Sequence, residues 1–549
     1  MSGSMKDWHH SAVIYQIYPR SFQDDMGNGI GTLSGIRRRL EYVAGLGVDA
    51  IWLSPFFESP QKDMGYDVSN YTAVDPLFGD MAAFDALVSR AHALGLKVII
   101  DQVLSHSSDL HPWFRESRVS RDNQKADWYV WADPQPDGSP PNNWLSVFGG
   151  PAWEFEPQRG QYYLHNFLAS QPDLNFHCEA VQEALLDTVR FWLERGVDGL
   201  RLDTVNYYLH DVQLRSNPAK PGGVVESAAA TYGMQDHLYD KTQPENVQFL
   251  KRLRTLTDQY DDIMMVGEVG EEGAKSIEVM AEYTRGNDRL HMCYSFAMLS
   301  AHFSAAHFRN CIETFQRGAP DGRAKWSFSN HDVMRHTSRW AEHAVDTDAL
   351  AKQACAMLMS FEGAVGIYQG EELGQIETDL SYEELTDPPA LRYWPKVKGR
   401  DGCRTPMTWE ASAPSAGFTS GQAWLPVKPP QSAKAVDQQD MDGSVLSFYR
   451  SAIAFRKSSD CLRDGTTVFV DLPEPTFAFR RIFGEETLTC IFNLSPDPIQ
   501  LGLSGSALIT GPHAARLDGQ TLHLPANGHV YLAHEETPEL KLIKKMTPA

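Results

Sequence analysis

The chain of 549 residues is long enough for several domains, or for one large barrel with smaller additions. Hydrophobic residues make up 42% and charged residues 22%, which is ordinary globular usage and excludes disordered, collagenous and coiled-coil classes. The 71 acidic and 49 basic residues leave a net charge of −22, which repels phosphate backbones and anionic lipids. We therefore expect neither nucleic acid nor a membrane as partner.

The cysteines and the N-terminus indicate the cellular compartment. The seven cysteines are scattered and show no C-x-x-C spacing, so we expect reduced core residues rather than a disulfide framework or a zinc site. Residues Met1 to His10 lack the apolar run of a secretory signal, and no stretch of 18 apolar residues occurs. These features predict a cytoplasmic protein.

Short β-branched and aromatic runs alternate with amphipathic segments along most of the chain. The eight runs are Val13–Tyr18, Ala50–Leu53, Lys97–Val103, Gly199–Asp203, Ile263–Val269, His291–Phe296, Lys325–Asn330 and Val365–Gln369. Apolar residues at helical spacing from Met81 to Leu94, ended by Gly95, predict a helix between the second and third runs. Eight strand-helix units with right-handed crossovers close most economically as an α/β fold of the (β/α)8 TIM-barrel type.

Two regions depart from this alternation. Residues 105–173, rich in Trp, Pro, Asn and Gly, predict a small inserted domain after strand 3, which would wall one side of a pocket. The barrel would then comprise residues 1–104 and 174–460. From 461 to 549 short alternating runs separated by Gly and Pro predict a C-terminal antiparallel β-sandwich domain. The segment Pro218–Gly233 is predicted to be a mobile loop.

Carboxylates collect where four predicted barrel strands end. Asp101, Asp203, Glu268 and Asp332 occupy these positions, and polar residues at the C-terminal ends of barrel strands point into the pocket. A single such residue is usually solvated or caps the next helix, but four together indicate chemistry. Two carboxyl groups across a scissile bond suit glycoside hydrolysis, in which one is the acid and the other the nucleophile or base.

The surroundings of these carboxylates suggest separate roles. Arg201, two residues before Asp203, should face the same side of the barrel and hold that carboxylate ionised, as a nucleophile requires. An apolar wall beside Glu268 would raise its pKa toward that of a general acid. Aromatic residues are also dense near the predicted rim and could stack on sugar faces, although most of such a set usually lies in the core. They are Tyr66, Trp113, Trp144, Phe148, Trp153, Tyr162, Tyr163 and Phe167.

Several motifs in fixed order carry a family resemblance. They are Ala12–Phe22, Asp101–His106, Gln171–Asn175, Gly199–Asp203, Gly267–Glu268 and Asn330–Asp332. Over essentially the whole chain the sequence resembles the α-amylase superfamily of retaining glycosidases (glycoside hydrolase family 13), in its α-glucosidase and oligo-1,6-glucosidase branch. The resemblance implies that Asp203 is the nucleophile, Glu268 the general acid/base and Asp332 the transition-state stabiliser. It further implies that His106, Arg201 and His331 contact the sugar in the cleavage subsite.

The resemblance extends to other parts of the pocket. Tyr66 would be the platform under the bound glucose, and Asp63 with Arg400 would grip the non-reducing-end hydroxyls, so that only terminal glucose enters and the action is exo. The alternative for this pair is an ordinary surface ion pair. Phe148 and Phe167, from the inserted domain, would line the acceptor side.

The residue after the nucleophile bears on linkage preference, and here it is Thr204. In the family that the sequence resembles, Val at this position is typical of enzymes that cleave α-1,6 bonds. Ala or Thr is typical of those that prefer α-1,4 bonds, as in maltose. We therefore expect α-1,4 preference on small oligosaccharides. A covalent glucosyl intermediate can also be intercepted by an alcohol or sugar, so transglucosylation is expected as a side activity.

The segment from Asp24 to Gly31 resembles the oxygen-ligand loop in which this branch binds calcium. Asp24, Asn28 and the carbonyl of Ile30 would hold a structural Ca²⁺ or Mg²⁺ ion. Met26 and Thr32 depart from the ligand pattern, and a Gly-rich turn without metal is the alternative. The glycines lack the order of a nucleotide-binding loop, and no cofactor is required.

Other functions stay open at this stage. A sucrose hydrolase, a sucrose isomerase or a transferase would act on the same glucosyl unit. A catalytically dead sugar-binding protein of this fold would be expected to lack part of the carboxylate set or to carry a membrane segment. The sequence makes no prediction about oligomeric state.

Overall fold

The computed structural model describes residues 7–222, 228–534 and 538–545. Eight parallel strands form one sheet: β1 Val13–Ile17, β2 Ala50–Leu53, β3 Lys97–Gln102, β4 Gly199–Leu202, β5 Met264–Val269, β6 Met292–Ser295, β7 Lys325–Ser327 and β8 Ala364–Tyr368. Their order is β6-β5-β4-β3-β2-β1-β8-β7, and a parallel bridge between Cys293 and Ala324 joins the two edge strands. The predicted barrel is therefore confirmed.

Eight helices connect and cover these strands: α1 Leu33–Gly45, α2 Met81–Ala93, α3 Glu179–Leu193, α4 Asn246–Thr257, α5 Gly273–Thr284, α6 Ala305–Gly318, α7 Thr347–Ser360 and α8 Val445–Ser458. Side chains cap several N-termini: Thr32 accepts a hydrogen bond from the amide of Gly35, and Asp80 accepts one from that of Ala83. Helix α2 gives way to β3 through Gly95, whose φ of +77° favours glycine. Shorter helices span Pro112–Ser117, His336–Arg339, Pro388–Tyr393, Asp401–Arg404, Pro429–Ser432 and Asp460–Asp464.

The barrel interior is apolar at one end and charged at the other. Alternate strand residues pack into one cluster, which includes Ile14, Trp52, Ile99, Met264 and Tyr294. The carboxylates predicted from the strand ends lie above this layer. Strand β7 is shorter than its predicted run because the chain leaves the sheet after Ser327, which carries Asn330–Asp332 over the barrel mouth.

The segment between β3 and α3 holds a three-stranded antiparallel sheet. Its strands are Trp131–Ala132, Trp153–Glu156 and Gln161–Leu164, and the order places the last in the middle. Buried Trp144 and Trp153 pack in a small hydrophobic cluster that is separate from the main core. A second pair of strands, Phe57–Glu58 and Asn70–Val74, follows β2. Of the predicted loop from 218 to 233, residues 223–227 lie outside the described residues.

The C-terminal region consists of two antiparallel sheets, as predicted. The strands are β9 Thr466–Phe469, β10 Thr476–Phe483, β11 Glu486–Asn493, β12 Ile499–Ser504, β13 Leu508–Thr510, β14 Arg516–Asp518, β15 Thr521–Leu524, β16 His529–Ala533 and β17 Glu539–Lys545. One sheet has the order β9-β10-β11-β16-β13 and the other β14-β15-β12-β17. Apolar residues from both, among them Ile491, Leu501 and Leu532, form a shared core. In the part of the chain that the structure describes, every helix is too short or too polar to cross a membrane.

Candidate active site

A cavity of about 240 Å³ opens at the C-terminal end of the barrel. Ten predicted site residues line it: Asp63, Tyr66, His106, Phe148, Phe167, Asp203, Thr204, Glu268, Asp332 and Arg400. Arg201 and His331 lie directly behind the lining, bonded to residues that form it. Five further residues, which we did not predict as site residues, complete the wall: Val147, Gln171, Tyr207, Gly270 and Phe296. The structure thus brings all the predicted catalytic and sugar-binding residues together.

Arg201 is the centre of the charged cluster. Its Nη1 lies 2.7 Å from a carboxylate oxygen of Asp101 and 2.7 Å from one of Asp203, and its Nη2 lies 2.5 Å from Oε2 of Glu268. The Tyr294 hydroxyl accepts a further hydrogen bond from Nη2 at 2.9 Å. The guanidinium is completely buried, so these pairs are not screened by water. One cation therefore orients both of the carboxyl groups predicted to do the chemistry.

The turn after β4 also fixes the two carboxyl groups. Thr204 has φ of +39°, a left-handed conformation that is strained for a β-branched residue. This conformation aims its amide at Glu268 Oε2 at 3.2 Å, and its hydroxyl lies 3.2 Å from Asp203 Oδ2 and 3.0 Å from the hydroxyl of Ser105. The strained backbone of Thr204 thus lies between Asp203 and Glu268, the two carboxyl groups predicted to do the chemistry.

Burial raises the pKa of Asp203 to about 7 and that of Glu268 to about 7, although Arg201 lowers both. The expectation that Arg201 would hold Asp203 ionised needs correction, because desolvation and the negative charges of Asp101 and Asp332 outweigh the guanidinium. For Glu268 the direction is the one that a general acid needs at neutral pH. The two groups titrate together, and a proton on Glu268 removes the like charge that opposes ionisation of Asp203.

Asp332 lies in the opposite electrostatic environment. Burial works against its ionisation, yet the guanidinium groups of Arg404 and Arg400 keep the pKa of this carboxyl well below its usual range. Arg404 Nη2 lies 3.0 Å and Arg400 Nη1 3.5 Å from Asp332 Oδ1. Asp332 is therefore a permanently ionised group in the cavity wall, as a stabiliser of developing positive charge must be.

The floor of the cavity is an aromatic stack with a defined hydrogen-bond direction. The rings of Tyr66 and His331 are nearly parallel, with centroids 5.5 Å apart. The Gln16 amide donates to His331 Nδ1 at 2.8 Å, so the ring proton lies on Nε2, 2.5 Å from the Tyr66 hydroxyl. Burial keeps the pKa of His331 well below its usual value, so the imidazole is neutral. His106 lies beside this floor, 3.1 Å from the carbonyl of Tyr66.

Asp63 and Arg400 close the far end of the cavity. They form a salt bridge of 2.7 Å, with Asp63 almost fully buried, so they are not an ordinary surface pair. Gln171 donates to the other oxygen of Asp63 at 3.0 Å, and Asp387 holds Arg400 at 2.6 Å. Sequence reasoning missed both supports. Gln171 lies in one of the family motifs, whereas Asp387 carries no signal in the sequence.

The opposite side of the cavity is mainly aromatic. The ring of Phe167 lies 5.2 Å from that of His106, 5.7 Å from that of Phe148 and 5.4 Å from that of Tyr207. Tyr207 was not predicted, since nothing in the sequence distinguishes it from a core tyrosine. Of the eight aromatic residues that we noted near the rim, only Tyr66, Phe148 and Phe167 are among the described residues that line the cavity.

The predicted metal loop is satisfied by its own hydrogen bonds. The carboxylate of Asp24 accepts from the amides of Met26, Gly27 and Gly29 at 2.7–2.9 Å and from the Thr419 hydroxyl at 2.5 Å. The side-chain oxygen of Asn28 accepts from the amide of Ile30. These donors occupy the side-chain oxygens of Asp24 and Asn28, so the described loop fits a turn without metal better than a Ca²⁺ or Mg²⁺ site. Binding of such an ion stays a prediction.

Known proteins are similar to this chain over most of its length. The family model described as alpha amylase, catalytic domain, matches residues 16–465. A probable alpha-glucosidase of Rhizobium meliloti (strain 1021) is 55% identical, over 90% of this chain and 90% of that protein. An oligo-1,6-glucosidase of Heyndrickxia coagulans is 36% identical, over 90% of this chain and 93% of that protein. The crystal structure of an alpha-glucosyl transfer enzyme, XgtA, has a TM-score of 0.93 at 51% identity and covers 96% of this chain and 100% of that one. The resemblance inferred from the ordered motifs is confirmed.

Proposed function

Because the chain belongs to the α-amylase family and is a glycoside hydrolase, we propose that it is an exo-acting, retaining α-glucosidase. Its substrates are short α-1,4-linked glucosides such as maltose, from which it releases α-glucose at the non-reducing end. The observation that carries this proposal is the pairing of Asp203 and Glu268 through one buried guanidinium at the base of a cavity that is closed at one end.

Exo action follows from the shape of the cavity. The salt bridge between Asp63 and Arg400, supported by Gln171 and Asp387, ends the pocket where a second sugar on the non-reducing side would have to lie. A volume of about 240 Å³ leaves little room beyond one sugar ring and its leaving group. A chain that continues past the terminal glucose would have to break this buried pair.

The chemistry assigned to the two carboxyl groups conserves atoms and protons. Asp203 attacks the anomeric carbon and forms a glucosyl ester, while the bond from that carbon to the leaving oxygen breaks and takes up the proton of Glu268. Glu268, now ionised, accepts a proton from water as the water oxygen attacks the same carbon and releases Asp203. Two inversions leave the α configuration. Asp332 stabilises the positive charge that develops on the sugar in both steps.

Linkage preference is assigned to Thr204. Its side chain lies between the nucleophile and the acceptor side and lines the cavity. By the family pattern, Thr at this position favours α-1,4 over α-1,6 bonds. The methyl and hydroxyl groups are held in one orientation by contacts with Asp203 and Ser105, so they present a fixed surface to the leaving sugar.

Transfer to a second sugar is proposed as a side activity. The covalent ester can react with any hydroxyl that reaches it, and Phe148, Phe167 and Tyr207 offer ring faces on which an acceptor sugar can pack. The 51% identity to an enzyme described as transferring α-glucosyl groups supports this assignment.

We further propose that the substrate carries no phosphate or carboxylate. Among the described residues that line the cavity, Arg400 is the only lysine or arginine, and Asp63 and Asp387 already pair with it. A net charge of −22 would also repel an anionic sugar. Cytoplasmic location remains a prediction.

A proton NMR time course with maltose, isomaltose and sucrose in separate tubes tests the proposal. We expect α-glucose to form first and fastest from maltose, before mutarotation. First release of β-glucose would contradict retention, and isomaltose turnover as fast as that of maltose would contradict the linkage assignment. Turnover of sucrose alone would replace the proposed function with a sucrose hydrolase or isomerase, and no turnover in any tube would favour a sugar-binding protein.

A further inference from the structure

We propose that Lys325 is a positioning residue of this site. Its ammonium group is a second interior cation, which offsets part of the negative charge of the carboxylates bonded to Arg201. The inference rests on the proposed function, because it assigns Lys325 to the same reaction. Lys325 is the first residue of β7 and is 3% exposed, so its charge lies inside the barrel rather than at its surface.

Two aromatic rings connect Lys325 to the catalytic cluster. Its Nζ lies 5.0 Å from the ring centroid of Trp52 and 4.6 Å from that of Tyr294. The guanidinium carbon of Arg201 lies 5.1 Å and 5.9 Å from the same two centroids. Two cations thus share one pair of rings, each at a distance where cation–π attraction operates.

The same two rings hold the carboxylate cluster in place. The indole nitrogen of Trp52 donates to Asp101 Oδ2 at 3.2 Å, and the hydroxyl of Tyr294 accepts from Arg201 at 2.9 Å. A change in the charge of Lys325 therefore alters the electrostatic environment of Asp101 and Arg201, and Arg201 contacts Asp203. The charge also acts directly on the cluster, because Coulomb interactions in a buried site are weakly screened.

Lys325 has no acidic partner of its own in the part of the chain that the structure describes. Arg201 forms three salt bridges, whereas Lys325 forms none among the described residues. Room for its side chain depends on Gly366 of β8, since a Cβ at that position would collide with Nζ. Burying a cation without a paired carboxylate is costly, and the carboxyl groups that act on it are those of Glu371 and of Glu268 in the catalytic cluster.

The charged groups around Lys325 come from three elements. Arg201 on β4 faces it with like charge, and Glu268 on β5 and Glu371 after β8 face it with carboxyl groups. Strand β2 faces it with the ring of Trp52, and β6 with the ring of Tyr294, whose hydroxyl stays neutral because burial raises its pKa well above the usual value. Burial and Arg201 lower the pKa of the lysine to about 7, and burial raises the pKa of Glu371 to about 8. Near neutral pH the lysine is thus partly charged and Glu371 is mostly neutral.

The substitution Lys325→Met tests the inference, because it keeps the length of the side chain and removes the charge. Loss of the cation removes a positive charge that acts on Glu268, which titrates together with Asp203, so we expect the acid limb of kcat/KM against pH to move up by about half a unit or more. The alkaline limb should move less, since the amine has already lost most of its proton there. A residue that only fills space would leave both limbs unchanged, and that result would overturn the proposal.

A matched control and a substrate-free measurement complete the test. Lys97→Met removes a partly exposed lysine from the start of β3, where it pairs with Asp198, and should leave the pH profile unchanged. A buried lysine with a lowered pKa destabilises the folded state below that pKa, and the penalty disappears as pH rises toward its unfolded value. The Tm gain of Lys325→Met over wild type should therefore shrink between about pH 7 and pH 10. A difference that is flat with pH would overturn the proposal even if the wild type has no glucosidase activity. If Lys325→Met does not fold, Lys325→Gln serves for both measurements.

Discussion

The proposed function divides the cavity into a glucose side, closed by Asp63 and Arg400, and an acceptor side, lined by Phe148 and Phe167, and the two sides are built by different means. On the glucose side, salt bridges from Arg201, Arg400 and Arg404 hold the carboxylates in place. On the acceptor side, Phe148 and Phe167 come from the segment between β3 and α3, and their contacts are mainly ring to ring. In the proposed function, the chemistry depends on charged groups that salt bridges hold at the barrel mouth, whereas the choice of leaving group and acceptor depends on aromatic surfaces carried by loops.

The largest effect is expected from Asp203→Asn on the glucose side. The amide cannot form the glucosyl ester, so kcat should fall by about 10⁴-fold or more while the fold persists. Steady-state kinetics on maltose with thermal unfolding checks this. The control is Asp198→Asn, just before β4, the strand that Asp203 follows. This substitution weakens the salt bridge to Lys97 and should lower Tm rather than kcat. Activity within tenfold of wild type in Asp203→Asn would remove the residue from this role.

Glu268→Gln should separate the acid role from general damage. The variant cannot protonate a leaving oxygen, so turnover of maltose should fall about 10²- to 10⁴-fold. Release of a nitrophenol, which leaves without a proton, should fall much less in the first step. Pre-steady-state kinetics on an aryl α-glucoside against maltose measures the difference. Equal losses on both substrates would count against the acid role.

Asp63→Asn tests whether the closed end of the cavity binds the terminal glucose. The change removes the charge that pairs with Arg400 and leaves a buried cation with one partner fewer, so kcat/KM should fall about 10²-fold or more. Asp387→Asn, which touches Arg400 from outside the cavity lining, should cost less. Comparable kcat/KM values for maltose in Asp63→Asn and wild type would contradict the exo assignment.

Thr204→Val tests the boundary between the two sides. It removes the hydroxyl that contacts Asp203 and places a second methyl toward the leaving sugar, so the ratio of maltose to isomaltose turnover should fall about tenfold. Thr204→Ser keeps the hydroxyl and should change the ratio little. A ratio unchanged in Thr204→Val would refute the role of this position in linkage preference.

The smallest effect is expected on the acceptor side, from Tyr207→Phe. The substitution keeps the ring and removes the hydroxyl, which lies 2.9 Å from the Tyr232 hydroxyl and 3.3 Å from Lys241 Nζ. Without these hydrogen bonds the ring at the acceptor side is less rigidly positioned. We expect the ratio of transfer to hydrolysis to fall about twofold to threefold, with maltose hydrolysis nearly unchanged. Tyr208→Phe is the matched control, because the buried hydroxyl of Tyr208 has no hydrogen-bond partner among the described residues. Equal product ratios in both variants would remove Tyr207 from acceptor binding.

The barrel and its charged rim could be predicted because both leave periodic or ordered signals in the sequence. Strand runs alternate with amphipathic helices, and the carboxylates follow the strands at the ends that face the pocket. The sequence therefore predicts that Asp203, Glu268 and Asp332 lie together. Their pKa values were not, since the balance between burial, Arg201 and the other carboxylates depends on three-dimensional distances.

Residues whose role depends on a distant segment escaped prediction. Asp387 supports Arg400 across 13 residues of chain, and Tyr207 meets Tyr232 only because both segments fold over the same strand ends. Lys325 lies in a predicted strand, yet only the structure shows that it points between Trp52 and Tyr294. In the predicted metal loop, the sequence pattern resembles a cation site. The structure shows that Thr419, far along the chain, donates a hydrogen bond to a carboxylate oxygen of Asp24, which the sequence pattern does not reveal.

Trapping of the covalent intermediate is the most direct test of Asp203 as the nucleophile of a retaining mechanism. An activated 2-deoxy-2-fluoro or 5-fluoro α-glucoside slows the second step, so the glucosyl-enzyme should accumulate and add the mass of one sugar to the intact protein. Peptide mapping by mass spectrometry should place that mass on Asp203, and Asp203→Asn should remain unlabelled. Label on another carboxylate, or turnover without any covalent adduct, would contradict the account of a retaining mechanism through Asp203.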